Sequence, residues 1–174
     1  MPARLKIRSL PDRLNAQAKR EHWPTLCDDR LVFDDPRLND LSVLWHAVRG
    51  SRVLPQRTDF TARALLRHLR DILFVELVPP HRYRFGFHGS GLARYTGDWT
   101  GKLLDDAVPA KFRDSWYASY DATLEQGAPL RFVSHLHAFD LDYMTAETLL
   151  APLGDASGAP CGLLVSVVYT PRVT

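Results

Sequence analysis

The sequence predicts an α+β fold built on an antiparallel sheet. Amphipathic helical stripes come first, and the strand-like runs fall in one group of two and one group of three instead of alternating with helices. Prolines stand between the two runs of the first group and glycines between the last two runs of the second, as sheet connections favour. A doubly wound parallel sheet would alternate strand with helix. At 174 residues there is room for one substantial core and not for two ordinary domains with a linker.

Residues 1–38 read as a polar arm, partly disordered or loosely docked. Residues 1–22 carry six basic and two acidic side chains, residues 23–40 two basic and five acidic, with Pro2, Pro11 and Pro24 interrupting any periodicity. A docking peptide for a partner is the alternative reading of this stretch. From residue 39 to 170 the pattern is that of a folded domain, with 39–69 as a helical extension and 171–174 as a tail. Leu41, Leu44, Trp45 and Val48 fall at i, i+3, i+4 and i+7, one stripe of a helix with Asn39 or Asp40 as N-cap and Gly50 past its end. Thr61 starts a second helix, to about Leu69, where Phe60 and Leu65 have the spacing of a hydrophobic staple.

Residues 72–78 and 82–88 read as strands joined through Pro79, Pro80 and His81, because proline cannot donate to a sheet ladder. Short helices punctuated by Gly97 and Gly101 follow over 92–108. Pro109 opens a long helix at its first position and Gly127 closes it, placing Phe112, Trp116 and Tyr120 on one face. Three more strands are expected over 130–139, 145–153 and 161–169. The last two are joined by Gly154-Asp155-Ala156-Ser157-Gly158, whose composition suits a hairpin loop.

Composition narrows the function. With 45% hydrophobic and 24% charged residues the chain is expected to be soluble and cytoplasmic, and no apolar run approaches the roughly 18 to 20 residues that span a bilayer. Residues 1–10 lack the apolar stretch of a secretory signal. A net charge of +2 without a basic stripe argues against nucleic acid as a partner. Cys27 and Cys161 have no metal-type spacing, so neither a disulfide framework nor a zinc ribbon is encoded. The run from Gly97 to Leu103 is one residue short of a phosphate loop, and Leu103 stands where Ser or Thr would bind Mg²⁺.

The element order and several short motifs resemble the PAS sensor family. Gly89-Ser90-Gly91-Leu92-Ala93-Arg94-Tyr95-Thr96-Gly97 resembles the PAS stretch from the second strand into the first short helix, followed by the turn Asp98-Trp99-Thr100-Gly101-Lys102. Pro152-Leu153-Gly154-Asp155 with Cys161-Gly162-Leu163-Leu164 is similar to the PAS hairpin of the fourth and fifth strands. Leu44-Trp45, Arg49-Gly50, Leu54-Pro55-Gln56-Arg57 and Tyr83-Arg84 resemble a branch of short, stand-alone bacterial PAS proteins with an extra N-terminal helix. The resemblance covers residues 40–170. It implies a five-stranded sheet of order 2-1-5-4-3, helices on one face, the extra helix on the outer face, and a non-catalytic sensor or adaptor in signal regulation. Two departures argue against haem and flavin. The long helix has no histidine, and neither cysteine lies on a helix in mid-domain. Val168-Tyr169-Thr170-Pro171-Arg172 lacks the usual exit to an effector, so output is expected through surface contacts.

Side-chain alternation then nominates sites. Phe85, Phe87, Trp116, Tyr120, Phe132 and Leu149 are assigned to the inner face, as core or as the lining of a pocket for a small, largely apolar ligand. The first and last strands of the domain are apolar on both faces, which calls for cover on both sides. Leu41, Leu44, Trp45 and Val48 would cover Leu164 and Val168 in cis, or these six would form a homodimer or partner interface. His135 and His137 share one side of a strand and, with Asp140, are the weak candidates for metal or acid/base chemistry in an alternative reading as a small enzyme.

Overall fold

The computed structural model describes residues 9–135, 141 and 143–172. Six strands, β1 (Thr25–Asp28), β2 (Ile72–Val78), β3 (Arg82–His88), β4 (Leu130–His135), β5 (Met144–Gly154) and β6 (Pro160–Pro171), form one antiparallel sheet of order β1-β4-β5-β6-β2-β3. The five expected strands keep the order 2-1-5-4-3. The strand count is corrected by one, because β1, from the arm, pairs with β4 from Thr25↔Ser134 to Asp28↔Arg131. Only four residues long, β1 carries too little alternation to be read from sequence; the exposed edge of β4 makes it a strand.

Where charge pattern suggested a loosely docked arm, residues 10–28 fold back onto the domain. Helix α1 (Leu10–Arg20) starts at Ser9, whose side chain and that of Asp12 form a reciprocal capping box, and it packs on β1 and on helix α6 (Ala110–Gln126). Asn15 then takes up the outer edge of β1. Its Oδ1 accepts from the Cys27 N–H at 2.7 Å and its Nδ2 donates to the Cys27 carbonyl at 2.9 Å. The opposite edge, β3, is covered by the Asp98–Lys102 turn, where the Phe85 N–H donates to Lys102 O and the Gly101 N–H to Phe85 O. Both sheet edges thus have their polar groups partly occupied, which blunts edge-to-edge association.

The sheet separates two cores. On the outer face, helix α2 (Pro36–Arg49) lays Leu38, Leu41 and Trp45 against Phe74, Leu149, Ala151 and Leu164, and the Trp45 Nε1–H donates to Pro152 O at 3.0 Å. Asp35 caps α2 and Pro36 occupies its first turn, so the helix begins before the expected Asn39 or Asp40. The cover comes from the chain itself. Leu41, Trp45, Leu164 and Val168 are buried inside it and Leu44 and Val48 pack around them, which corrects the expectation of an interface made by these side chains. On the inner face α4 (Ser90–Thr96), α5 (Leu104–Ala107) and α6 enclose Leu73, Val75, Tyr83, Phe85, Trp99, Leu130 and Phe132. A short α3 (Ala62–Leu65) starts at Thr61, with Phe60 and Leu65 both buried.

One polar cluster sits in the outer face. Glu147 of β5, 7% exposed, accepts from Arg131 Nε at 2.6 Å and from the N–H groups of Asp34 at 2.9 Å and Asp35 at 3.1 Å. A single carboxylate therefore ties β4, β5 and the turn into α2 together. A second buried polar group supports the inner side. Trp99 N–H donates to His88 Nδ1 at 2.9 Å, so Nδ1 is bare and the neutral ring carries its proton on Nε2. Gly89, just beyond, is needed because a Cβ there would lie 2.4 Å from Arg70 O.

Two predictions follow from these groups. Glu147→Ala leaves the Arg131 Nε–H and two backbone N–H groups without their acceptor and should cost about 3 kcal/mol in urea unfolding, whereas Glu147→Leu combined with Arg131→Met should recover most of the loss. Burial holds both His88 and His68 below the ordinary imidazole pKa of 6.5, with Asp98 opposing the shift at His88. The unfolded chain therefore binds protons first as pH falls, so this contribution is complete above pH 6.5 and is lost on acidification below it. Urea midpoints should drop between pH 7 and 5, and His88→Asn should make that slope shallower without abolishing it, since His68 contributes in the same direction.

A candidate ligand cavity between the long helix and the sheet

Helix α6 presents Phe112, Ser115, Trp116, Ser119 and Tyr120 to the sheet, because residues three and four apart share a helix face. Between them and the inner face of the sheet lies a cavity of about 120 Å³. Its floor is Phe132 on β4, Thr148 and Leu150 on β5, and Val165 and Val167 on β6. Ala146 and Tyr169 also line it, as do Pro24 and Thr25 of the arm with Ser134 and His135 of β4, which form one rim. The Ser134 hydroxyl donates to Thr25 Oγ1 at 2.8 Å and the His135 N–H to Pro24 O at 2.9 Å, so the arm is fastened to this rim.

Among the described residues no Asp, Glu, Lys or Arg lines the cavity. Its polar side chains are hydroxyls and the exposed imidazole of His135. Ser115 Oγ donates to Phe112 O at 2.8 Å and Ser119 Oγ to Ser115 O at 2.7 Å, which spends their protons on the helix and leaves lone pairs. Tyr120 is 3% exposed, and its hydroxyl has no hydrogen-bond partner among the described residues. Burial pushes its phenol pKa well up, so it remains a neutral donor. Burial raises the Tyr169 phenol likewise. Nearby, Tyr83 O–H donates to Asp121 at 2.5 Å while His81 contacts the same carboxylate at 3.0 Å, a tether of β3 to α6 at the surface.

Of the six residues assigned to the inner face, Trp116, Tyr120 and Phe132 line the cavity. Phe85 belongs to the adjoining core, its ring 5.0 Å from that of Trp99. Phe87 and Leu149 lie on the other side of the sheet, against α2. A bulge causes the first correction. Phe74 pairs with Phe87 and Val75 with Phe85, so Gly86 is an extra residue that breaks alternation, turning Phe87 outward and burying His88. For the second, β5 is apolar on both faces, and only the pairing of Phe132 with Thr148 and Leu130 with Leu150 directs even-numbered residues inward. Ser115 and Ser119 were legible as a small, polar interruption of the α6 aromatic stripe; Pro24 and Thr25 carried no signal.

His135 is exposed and lines the cavity, while His137 and Asp140 lie outside the described residues. Among the described residues no three His, Cys, Asp or Glu side chains are grouped to hold a metal ion, and no helix is long and apolar enough to cross a membrane.

Comparison with curated proteins finds no match. Among solved structures, the chain is similar to one described as an RNA-binding Light-Oxygen-Voltage Receptor, at 14% identity and a TM-score of 0.43. That alignment covers 68% of this chain and 34% of the receptor chain, so the protein spans about a third of that length. A family model described as PAS domain matches residues 34–167, which take in α2, five of the six strands and the helices over the cavity. With most of its length matched and the strand order that such domains show, the chain belongs to the PAS domain family.

Proposed function

We propose that this chain is a non-catalytic, cytoplasmic sensor or adaptor in bacterial signal regulation, which takes a small molecule into the cavity under α6 and reports it through protein contacts. Family membership supports a sensory or signalling role. The observation that carries the finer reading is the alternation along β5. Ala146 and Thr148 face the cavity, and Glu147 between them holds the turn into α2 on the opposite side.

A ligand that favours one position of β4 and β5 shifts the population of two attached elements. One is the turn at Asp34 and Asp35 before α2, held by Glu147. The other is β1, held at Thr25 by Ser134 and at Pro24 by His135. Both lie at or beyond the N-terminal boundary of the family match, where charge is concentrated, so a protein partner suits this region. The modest net charge supports protein over nucleic acid as that partner. A cavity of about 120 Å³ suits a single ring better than a haem or flavin, which supports the sequence-based expectation against those cofactors.

Native mass spectrometry of the full chain should show a co-purified small molecule, or binding of one from a panel of uncharged ring compounds. Bound ligand should slow hydrogen exchange at residues 23–28 and 34–38 by about threefold or more, as expected for coupled local openings. Ala146→Leu, which fills the cavity, should abolish both effects. Binding without any change in exchange at either segment would exclude the proposed output.

A further inference from the structure

We propose that the ligand of this cavity is a compact, uncharged, single-ring molecule with a carbonyl-type acceptor that takes the hydrogen bond of the buried Tyr120 hydroxyl. The inference rests on the cavity being a ligand site, and adds the class of molecule and the residue that selects it.

Tyr120 is the anomaly in its surroundings. Tyr83 donates to Asp121 at 2.5 Å and Tyr117, on the same helix, to Asp105 at 3.1 Å. Buried tyrosine hydroxyls ordinarily find such a partner, since an unmade bond forfeits the full desolvation of the group. The Tyr120 hydroxyl is buried and has none among the described residues, yet its side chain lines the cavity. The hydroxyl oxygen has essentially no accessible surface of its own, so a ligand in the adjoining cavity reaches it by a small shift of the lining side chains.

The other walls fix the rest of the class. No carboxylate, ammonium or guanidinium lines the cavity among the described residues, and the His135 imidazole is solvent-exposed, so an ionic ligand seated among Trp116, Tyr120 and Phe132 would lose its hydration without a buried counter-charge. The volume of about 120 Å³ is close to that of cavities that accept one six-membered ring. Trp116, Phe132 and Leu150 supply apolar surface for the ring. Ser115 and Ser119 have given their protons to helix carbonyls and offer only lone pairs. Tyr120 is therefore the hydroxyl in this stretch of α6 with a proton to give, and the ligand must supply the acceptor.

Cyclohexanone and methylenecyclohexane have nearly the same shape and differ in the acceptor. Each is titrated by NMR against the full-length chain and against Tyr120→Phe. Tyr120→Phe should weaken cyclohexanone about fivefold to tenfold and change methylenecyclohexane by less than about twofold. Its thermal midpoint should not fall, because the hydroxyl removed has no protein partner. In the unmodified chain, the infrared carbonyl stretch of ¹³C-labelled cyclohexanone should move to lower wavenumber than in cyclohexane, a readout independent of the variant. Equal weakening of both probes, or an unshifted carbonyl band, overturns the role of Tyr120 and leaves the cavity as a ligand site. Failure of both probes to bind either protein at millimolar concentration overturns the inference and the reading beneath it together.

Discussion

Strands β2, β5 and β6 are apolar on both faces, and water must be kept from both. Ile72 and Phe74 face one way while Leu73 and Val75 face the other, and the same division runs through Leu163, Leu164 and Val165. Each such side chain is worth roughly 1.5 to 3 kcal/mol when buried. Leaving either face open would forfeit several of them at once. Two layers of helix are the consequence, α2 outside and α4 to α6 with α1 inside, and every other feature of the molecule is fitted between them.

Polar chemistry enters this arrangement at few points, each of which joins elements far apart in sequence. Glu147 binds Arg131 of β4 and the backbone before α2. Asn15 joins α1 to β1, and His88 joins β3 to the turn at Trp99. Buried groups of this kind are costly unless satisfied, so each fixes the register of what it holds. Tyr120, which is not satisfied from within the chain, stands out against that background.

Much of the fold was readable because its signals are local. Strands β2 and β3 lie where the prolines and alternation put them, and Gly127, at φ +64°, closes α6 as its lack of a Cβ allows. The Gly154–Gly158 hairpin forms around Asp155, whose side chain accepts from Ser157 and Ala159. Of the six nominated residues, Trp116, Tyr120 and Phe132 lie on the cavity wall, because the helical stripe and a strand with one polar face leave little choice of side. Phe87 was misplaced by the bulge at Gly86, and Leu149 by a strand on which either parity looks apolar. A parity error of one residue moves a side chain through the whole thickness of the sheet.

The amino-acid sequence alone determined the class of fold, the order of its elements, the need to cover both sheet faces and the aromatic stripe over the cavity. These follow from periodicity and turn chemistry, which act over a few residues at a time. Only the tertiary structure decided that the cover is the chain's own α2, that four residues of a charged arm become a sixth strand, and that β1 and β4 together line one side of the cavity. Those outcomes depend on pairings between residues more than a hundred positions apart, such as Thr25 with Ser134 and Asp34 with Glu147. No local pattern encodes which distant edge or carboxylate a segment will meet, and the free energy of that meeting made a strand and a rim from residues that read as a tether.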